Sequence, residues 1–81
     1  MDITSEILKV ANNEIECSEL SHVCPYDFEK ACQNNNWIFD SDYTYNGWEC
    51  NWYAYITINE DILILVKGIM YYGTAKLYKY E

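Results

Sequence analysis

His22 is the residue with the most direct catalytic potential, because an imidazole exchanges protons near neutral pH. It is the single histidine of this 81-residue chain, so any histidine-based acid–base mechanism or Cys-His mechanism must use it. The run Ser21-His22-Val23-Cys24 places a thiol two residues away. Catalytic Cys-His pairs, however, come from distant positions in a chain and need a third, orienting group. The pattern therefore favours a solvated loop histidine beside a small buried thiol.

The cysteines are the other candidate ligands for a metal ion. Cys17, His22, Cys24 and Cys32 follow the spacing C-x₄-H-x-C-x₇-C, which lacks the paired C-x₂-C knuckles typical of zinc sites. Cysteine is also among the most buried residue types where it has no ligand role. We therefore predict that Cys17, Cys24, Cys32 and Cys50 are free thiols, and that the chain needs no metal or other cofactor.

Three carboxylates, Asp40, Asp42 and Glu49, form the remaining candidate for chemistry. Clustered carboxylates can perform general acid–base catalysis or bind a divalent cation. They can equally keep an exposed sheet face in solution. The sequence has no glycine-rich phosphate loop and no nucleophile-elbow motif to complete a catalytic site. We therefore predict that the protein is not an enzyme.

These carboxylates lie in residues 37–58, where Asn46-Gly47 separates two alternating aromatic runs. Asn-Gly is the strongest short-range signal for a β-hairpin, because a type I′ turn needs positive φ at both central residues. A two-residue loop at that point predicts the following cross-strand pairs: Tyr45 with Trp48, Tyr43 with Cys50, Ser41 with Trp52, Phe39 with Ala54 and Trp37 with Ile56.

This register divides the hairpin into two faces. We expect the core face to carry most of the large apolar side chains, which are Trp37, Phe39, Trp48, Trp52 and Ile56. The opposite face carries acids beside tyrosines, which are favoured anchors of protein interfaces. We predict that this second face binds a partner through Asp40, Asp42, Glu49, Tyr53 and Tyr55. The competing interpretation is that another layer covers this face and the tyrosines simply pack.

The remaining elements are predicted from periodicity and end signals. Apolar spacing predicts a helix over about 3–12, and Pro25 with the later asparagines predicts a second over about 25–35. Residues 14–24 are left unassigned. The apolar run Ile62–Val66 suits a central strand covered on both faces, followed by a turn at Lys67-Gly68 and a last strand with an ambiguous register.

The predicted fold class is α+β, with two short N-terminal helices packed on one face of a four-stranded antiparallel meander. We expect a single domain over 1–81, with a helical part over about 2–35 and the meander over about 37–80.

Charge constrains the partner. Thirteen acids and five lysines give a net charge of −8, and there is no arginine. Residues 1–61 carry twelve acids and two lysines, a net charge of −10, whereas residues 62–81 carry three lysines and one acid, a net charge of +2. Such a field repels nucleic acid and attracts basic protein surfaces. No stretch is long and apolar enough to span a membrane, and the N-terminus lacks the features of a secretory signal, so we predict a cytoplasmic protein.

A very small, acidic, arginine-free chain without a catalytic constellation is similar to the inhibitors that phages and other mobile elements encode, including anti-CRISPR proteins and nucleic-acid mimics. That resemblance implies a role in the host cytoplasm, where carboxylates would occupy the basic surface of a nucleic-acid-binding protein or nuclease.

Three alternatives stay open. The chain could be an immunity protein or antitoxin. It could bind a nucleotide or other small ligand in an aromatic pocket near Lys67, Lys76 and Lys79. It could also use an exposed last strand to form a homodimer rather than remain a monomer.

Overall fold

The fold is α+β and is built on an antiparallel sheet of five strands in the order β1-β5-β4-β3-β2. A computed structural model describes residues 2–46 and 49–80, with the side chains of 43–49 outside that description. The elements are α1 (Ile3–Ala11), β1 (Cys17–Ser21), α2 (Pro25–Asn35), β2 (Ile38–Asn46), β3 (Glu49–Asn59), β4 (Ile62–Ile69) and β5 (Thr74–Tyr80). No described helix is long and apolar enough to cross a membrane.

Both predicted helices are confirmed, and their ends have local causes. The Asp2 carboxylate accepts a hydrogen bond from the Thr4 backbone N–H at 3.1 Å, which satisfies one of the unpaired donors at the start of α1. The Asp27 carboxylate accepts from the Cys24 N–H at 2.9 Å at the start of α2. Asn36, with a φ of 58°, ends α2 in the left-handed conformation that asparagine tolerates.

The prediction of four strands is wrong by one strand. Cys17–Ser21 lies inside the predicted helical part, between α1 and α2, yet it forms β1 and pairs antiparallel with β5, Ser18 opposite Leu77. Its buried positions are Ser18 and Leu20. A five-residue strand with only one large apolar residue facing inward carries little local signal, and its pairing spans most of the chain.

The β2–β3 hairpin is confirmed, with a register two residues away from the predicted one. The structure pairs Phe39 with Ile56 and Asn46 with Glu49. Gly47, half of the predicted turn, lies outside the described residues. Because side chains alternate with a period of two, a shift of two residues preserves the face of each one.

Two predictions about the last strands are wrong. β4 continues through Lys67-Gly68 to Ile69, and the chain turns at residues 70–73 instead, where Gly73 has a φ of 63°. The described elements also cover β4 on one face only, because Ile64 and Val66 are fully buried while Leu63 and Leu65 are partly exposed. The apolar run alone could not show that no described element covers its other face.

The core lies between the two helices and one face of the sheet. Ile7 and Val10 of α1, with Phe28 of α2, are fully buried. The Phe28 ring packs against Trp52 with centroids 5.5 Å apart. Of the predicted core residues, Trp52 and Ile56 are fully buried and Trp37 and Phe39 are partly buried, while Trp48 lies outside the described residues.

Candidate functional site: the open face of the sheet

Both helices pack on the same face of the sheet, so the opposite face has no covering layer in the described part of the chain. We call this surface the open face. The alternation of buried and exposed positions, together with the strand registers, assigns its residues. They include Cys17, Glu19, Asp40, Asp42, Tyr53, Tyr55, Leu63, Leu65, Lys67, Lys76, Tyr78 and Tyr80.

The structure brings four of the five predicted partner-binding residues together on the open face. Asp40 lies directly opposite Tyr55 and Asp42 directly opposite Tyr53. Both acids are exposed, and the two tyrosines are 40% and 41% exposed, which leaves their rings available for contact. The fifth residue, Glu49, begins β3, but its side chain lies outside the described residues. The competing expectation of a layer over these tyrosines is not met among the described elements.

The centre of the open face is basic. Lys67 and Lys76 were expected in a possible ligand pocket, but their place on the same face as the acids was not predicted. One row across the sheet runs Asp42, Tyr53, Lys67, Lys76 and Glu19, so two adjacent lysines are flanked by an acid at each edge. The Lys76 ammonium lies 3.3 Å from the Glu19 carboxylate. The hydrogen bond to Glu19 raises the pKa of Lys76, and the neighbouring Tyr78 adds to that rise.

Tyrosines support the two lysines. The Lys67 and Lys76 nitrogens lie 5.8 Å and 5.7 Å from the centroid of the Tyr78 ring, within the range of a cation–π interaction. Beside them, the Tyr55 and Tyr80 rings meet edge to face at 5.8 Å. The spacing Lys76-x-Tyr78-x-Tyr80 was the signal available in the sequence. The sequence alone could not assign these three residues to a face, because a one-residue change in the strand register moves all of their side chains to the other face.

A groove of about 730 Å³ follows the central row of the open face, from β1 to β3. Its lining combines aromatic, basic and hydroxyl groups, among them Tyr53, Tyr78, Lys67, Lys76, Ser21 and Thr74. Such a lining can stack on a planar group and contact an anion, whereas the acids at the sheet edges repel anions approaching from the sides.

The structure does not assemble the residues considered for thiol or metal chemistry. His22 is exposed at a φ of 60°, next to the turn that contains Gly73. Burial raises the pKa of the Cys32 thiol to about 11, and the nearby Glu29 carboxylate acts in the same direction, so this thiol is a poor nucleophile at neutral pH. Among the described residues no three His, Cys, Asp or Glu side chains are grouped closely enough to hold a metal ion.

All four cysteines are free thiols in the structure, with Cys17 exposed and Cys32 and Cys50 buried.

No protein-family model, curated protein or solved structure matches this chain. The open face, with its edge acids, tyrosines and central lysines, is the candidate functional site of this chain.

Proposed function

We propose that this protein is a small acidic inhibitor that binds a basic, nucleic-acid-handling partner protein through the open face. The observation that carries the proposal is the pairing of Asp40 with Tyr55 and of Asp42 with Tyr53 on a face that no described element covers. Each pair offers a carboxylate for a Lys or Arg of the partner beside an aromatic ring for packing.

The net charge of −8 supports the same proposal through kinetics. Long-range attraction between an acidic protein and a basic surface raises the association rate, and this gain falls with ionic strength. A surface that binds nucleic acid is rich in Lys and Arg, so it is the kind of partner that such a field favours. Occupation of that surface by carboxylates would exclude the nucleic acid, as in anti-CRISPR proteins and nucleic-acid mimics. An immunity protein that neutralises a nuclease would act by the same physics.

The test uses a partner captured from the host, purified, and measured for binding and for nucleic-acid activity. We expect the inhibitor to compete with the partner's nucleic acid, and its association rate to fall at least tenfold between about 0.05 and 0.5 M NaCl. Asp40→Lys/Asp42→Lys should slow association, and Tyr53→Ala should speed dissociation, at a cost of about 1–2 kcal/mol in binding.

A matched control is available in Glu14→Lys/Glu16→Lys. Both glutamates are exposed in the loop before β1, and each double variant changes the net charge from −8 to −4. If both doubles weaken binding equally, only net charge matters and the open face is not the contact surface. Binding that ignores salt and all of these substitutions rejects the proposed function.

The groove supports a second candidate, a module that binds a small aromatic anion such as a nucleotide. Trp52 itself is fully buried on the core side of β3, but Tyr53 and Tyr78 line the groove, so the intrinsic fluorescence of the chain is the probe. Saturable quenching by one member of a nucleotide panel, lost in Lys67→Ala/Lys76→Ala, would favour this candidate over protein binding. A flat response across the panel would reject it.

A further inference from the structure

The outer edge of β2 is a second feature of the open-face region with a capacity to bind. β2 is the terminal strand of the sheet, and no described strand pairs with its outer side. It spans nine residues, and its ladder with β3 is continuous from Ile38 to Asn46. At the opposite edge of the sheet, β1 has only five residues. Short strands, bulges, prolines and charged side chains, lysine above all, are the usual protections of a sheet edge. β2 is long and continuous, has no proline or lysine, and carries two acids, Asp40 and Asp42, as its charged residues.

The direction of its backbone groups follows from one hydrogen bond. The Met70 N–H donates to the Cys50 carbonyl at 2.8 Å, so the backbone groups of Cys50 point toward β4. In a regular antiparallel ladder these directions alternate along each strand. The groups of Tyr53 and Tyr55 therefore point toward β2, where they meet those of Asp42 and Asp40.

It follows that the intervening residues of β2, Phe39, Ser41 and Tyr43, direct their N–H and C=O groups away from the sheet. An edge of this kind is a template for one more strand. The side chains that would select the new strand are those on either side of Ser41, namely Asp40 and Asp42, both on the open face and both exposed.

Charge decides between the possible occupants. If a second copy paired antiparallel about Ser41, Asp40 of one copy would lie opposite Asp42 of the other, and like charges directly opposite are destabilising. A strand with Lys or Arg at alternate positions would instead place its cations opposite these carboxylates. We propose that the β2 edge accepts an extended basic segment of the partner protein as a sixth strand of the sheet.

This inference rests on the proposed function and specifies its mode of recognition. Main-chain hydrogen bonds along the edge would supply affinity. Asp40 and Asp42 would supply specificity by pairing with basic side chains two positions apart in the partner's strand. The tyrosines that face Asp40 and Asp42 lie on β3, so β2 separates them from the added strand.

The test is amide hydrogen exchange by NMR on the full chain, with a blocked seven-residue peptide of alternating lysine and valine as probe. Without peptide, the N–H groups of Phe39, Ser41 and Tyr43 should exchange faster than those of Asp40 and Asp42. At about ten times the Kd of the peptide, exchange of the outward-facing amides should slow roughly tenfold, because they exchange from the unbound fraction. The same peptide with glutamate in place of lysine should give no protection.

Two variants of Ser41 provide a second measurement. Proline on an edge strand is tolerated where its missing N–H faces solvent, so Ser41→Pro removes one outward donor. We expect it to weaken peptide binding at least fivefold, whereas Ser41→Ala, which keeps the N–H, should bind as the unmodified chain does. Near-ultraviolet circular dichroism shows whether Ser41→Pro is folded, and if it is not, the exchange measurement on the unmodified chain decides.

The outcomes separate this inference from the proposed function. Salt-dependent binding of the captured partner that leaves the amides of Phe39, Ser41 and Tyr43 in fast exchange overturns strand addition and leaves open-face binding standing. Protection that grows with protein concentration in the absence of peptide identifies a second copy as the occupant and also overturns the inference. A partner that shows neither salt dependence nor any effect of Asp40→Lys/Asp42→Lys rejects the proposed function itself.

Discussion

At the scale of single residues, Gly68 shows how one missing side chain shapes the sheet. Gly68 lies directly opposite Trp52 in the β3–β4 ladder, and Trp52 is fully buried. A Cβ atom at position 68 would collide with Cε2 and Nε1 of the Trp52 indole. The glycine is therefore required for space: β4 passes beneath the largest side chain of the core without a side chain of its own.

We predict that Gly68→Ala destabilises the protein by about 1–3 kcal/mol, the usual cost of overpacking a core. The measurement is urea unfolding followed by circular dichroism. Trp52→Phe provides the matched background, because a smaller ring leaves room for the new methyl group. In that background the cost of Gly68→Ala should fall by at least about 0.5 kcal/mol, the sign of coupling between contacting residues. Equal costs in both backgrounds would contradict the contact.

At the scale of elements, β1 is the strand that converts a four-stranded meander into a five-stranded sheet. β1 lies between α1 and α2 in the chain, ahead of the four other strands. In the sheet it is an edge strand and pairs with β5, the last strand of the chain. Leu20 is 3% exposed and lies opposite Ala75, whereas Glu19 points to the open face and pairs with Lys76. Substitutions of Leu20 and Glu19 therefore compare the contribution of the core face of β1 to stability with that of its open face.

We predict that Leu20→Ala costs about 2–5 kcal/mol of stability, since it empties a buried position of the core. Glu19→Ala should cost less than about 1 kcal/mol, because an exposed ion pair contributes little. Urea midpoints of both variants, compared with the unmodified chain, measure the difference. If Leu20→Ala is as mild as Glu19→Ala, then β1 does not bury Leu20 against the core.

At the scale of the whole molecule, an excess of eight negative charges is carried by a small domain whose radius of gyration is 11.9 Å. The described ion pairs, Lys9 with Glu6 at 3.7 Å and Lys76 with Glu19 at 3.3 Å, are partly or well exposed to solvent. Because the acids outnumber the lysines by eight, their mutual repulsion opposes the compact state and also supplies the field proposed to attract a basic partner.

We predict that 0.5 M NaCl raises Tm at pH 7, because screening weakens this repulsion. A gain of about 0.5–1 kcal/mol corresponds to roughly 3–6 °C for a domain of this size. Calorimetry at low and high salt measures it. The control is the same comparison near the isoelectric point of about 4.3, where the net charge vanishes and the salt effect should largely disappear. A Tm that falls with salt at pH 7 would show that attractive ion pairs dominate.

The helices and the two faces of the hairpin were predictable, because both depend on local rules. Asp2, Pro25 and Asn36 mark helix ends through their own hydrogen bonds and torsion angles. The alternation in β2 and β3 places Asp40 on the same face in the predicted register and in the observed one, since the two differ by an even number of residues.

The strand Cys17–Ser21, the extent of β4 and the lysine pair at the centre of the open face were not predictable. Lys67 and Lys76 are adjacent because β4 and β5 pair in this register, and the sequence pattern left that register ambiguous by one residue. Glu19 joins them through a pairing between opposite ends of the chain.

Local periodicity and end signals thus establish which residues are helical and which side chains share a strand face, because those depend on neighbours a few positions away. Which strands become neighbours, and therefore whether acids, tyrosines and lysines form one surface, depends on contacts across the whole chain. Packing both helices on a single face of the sheet decides the rest: it buries Trp52 and leaves the row from Asp42 to Glu19 uncovered in the described chain.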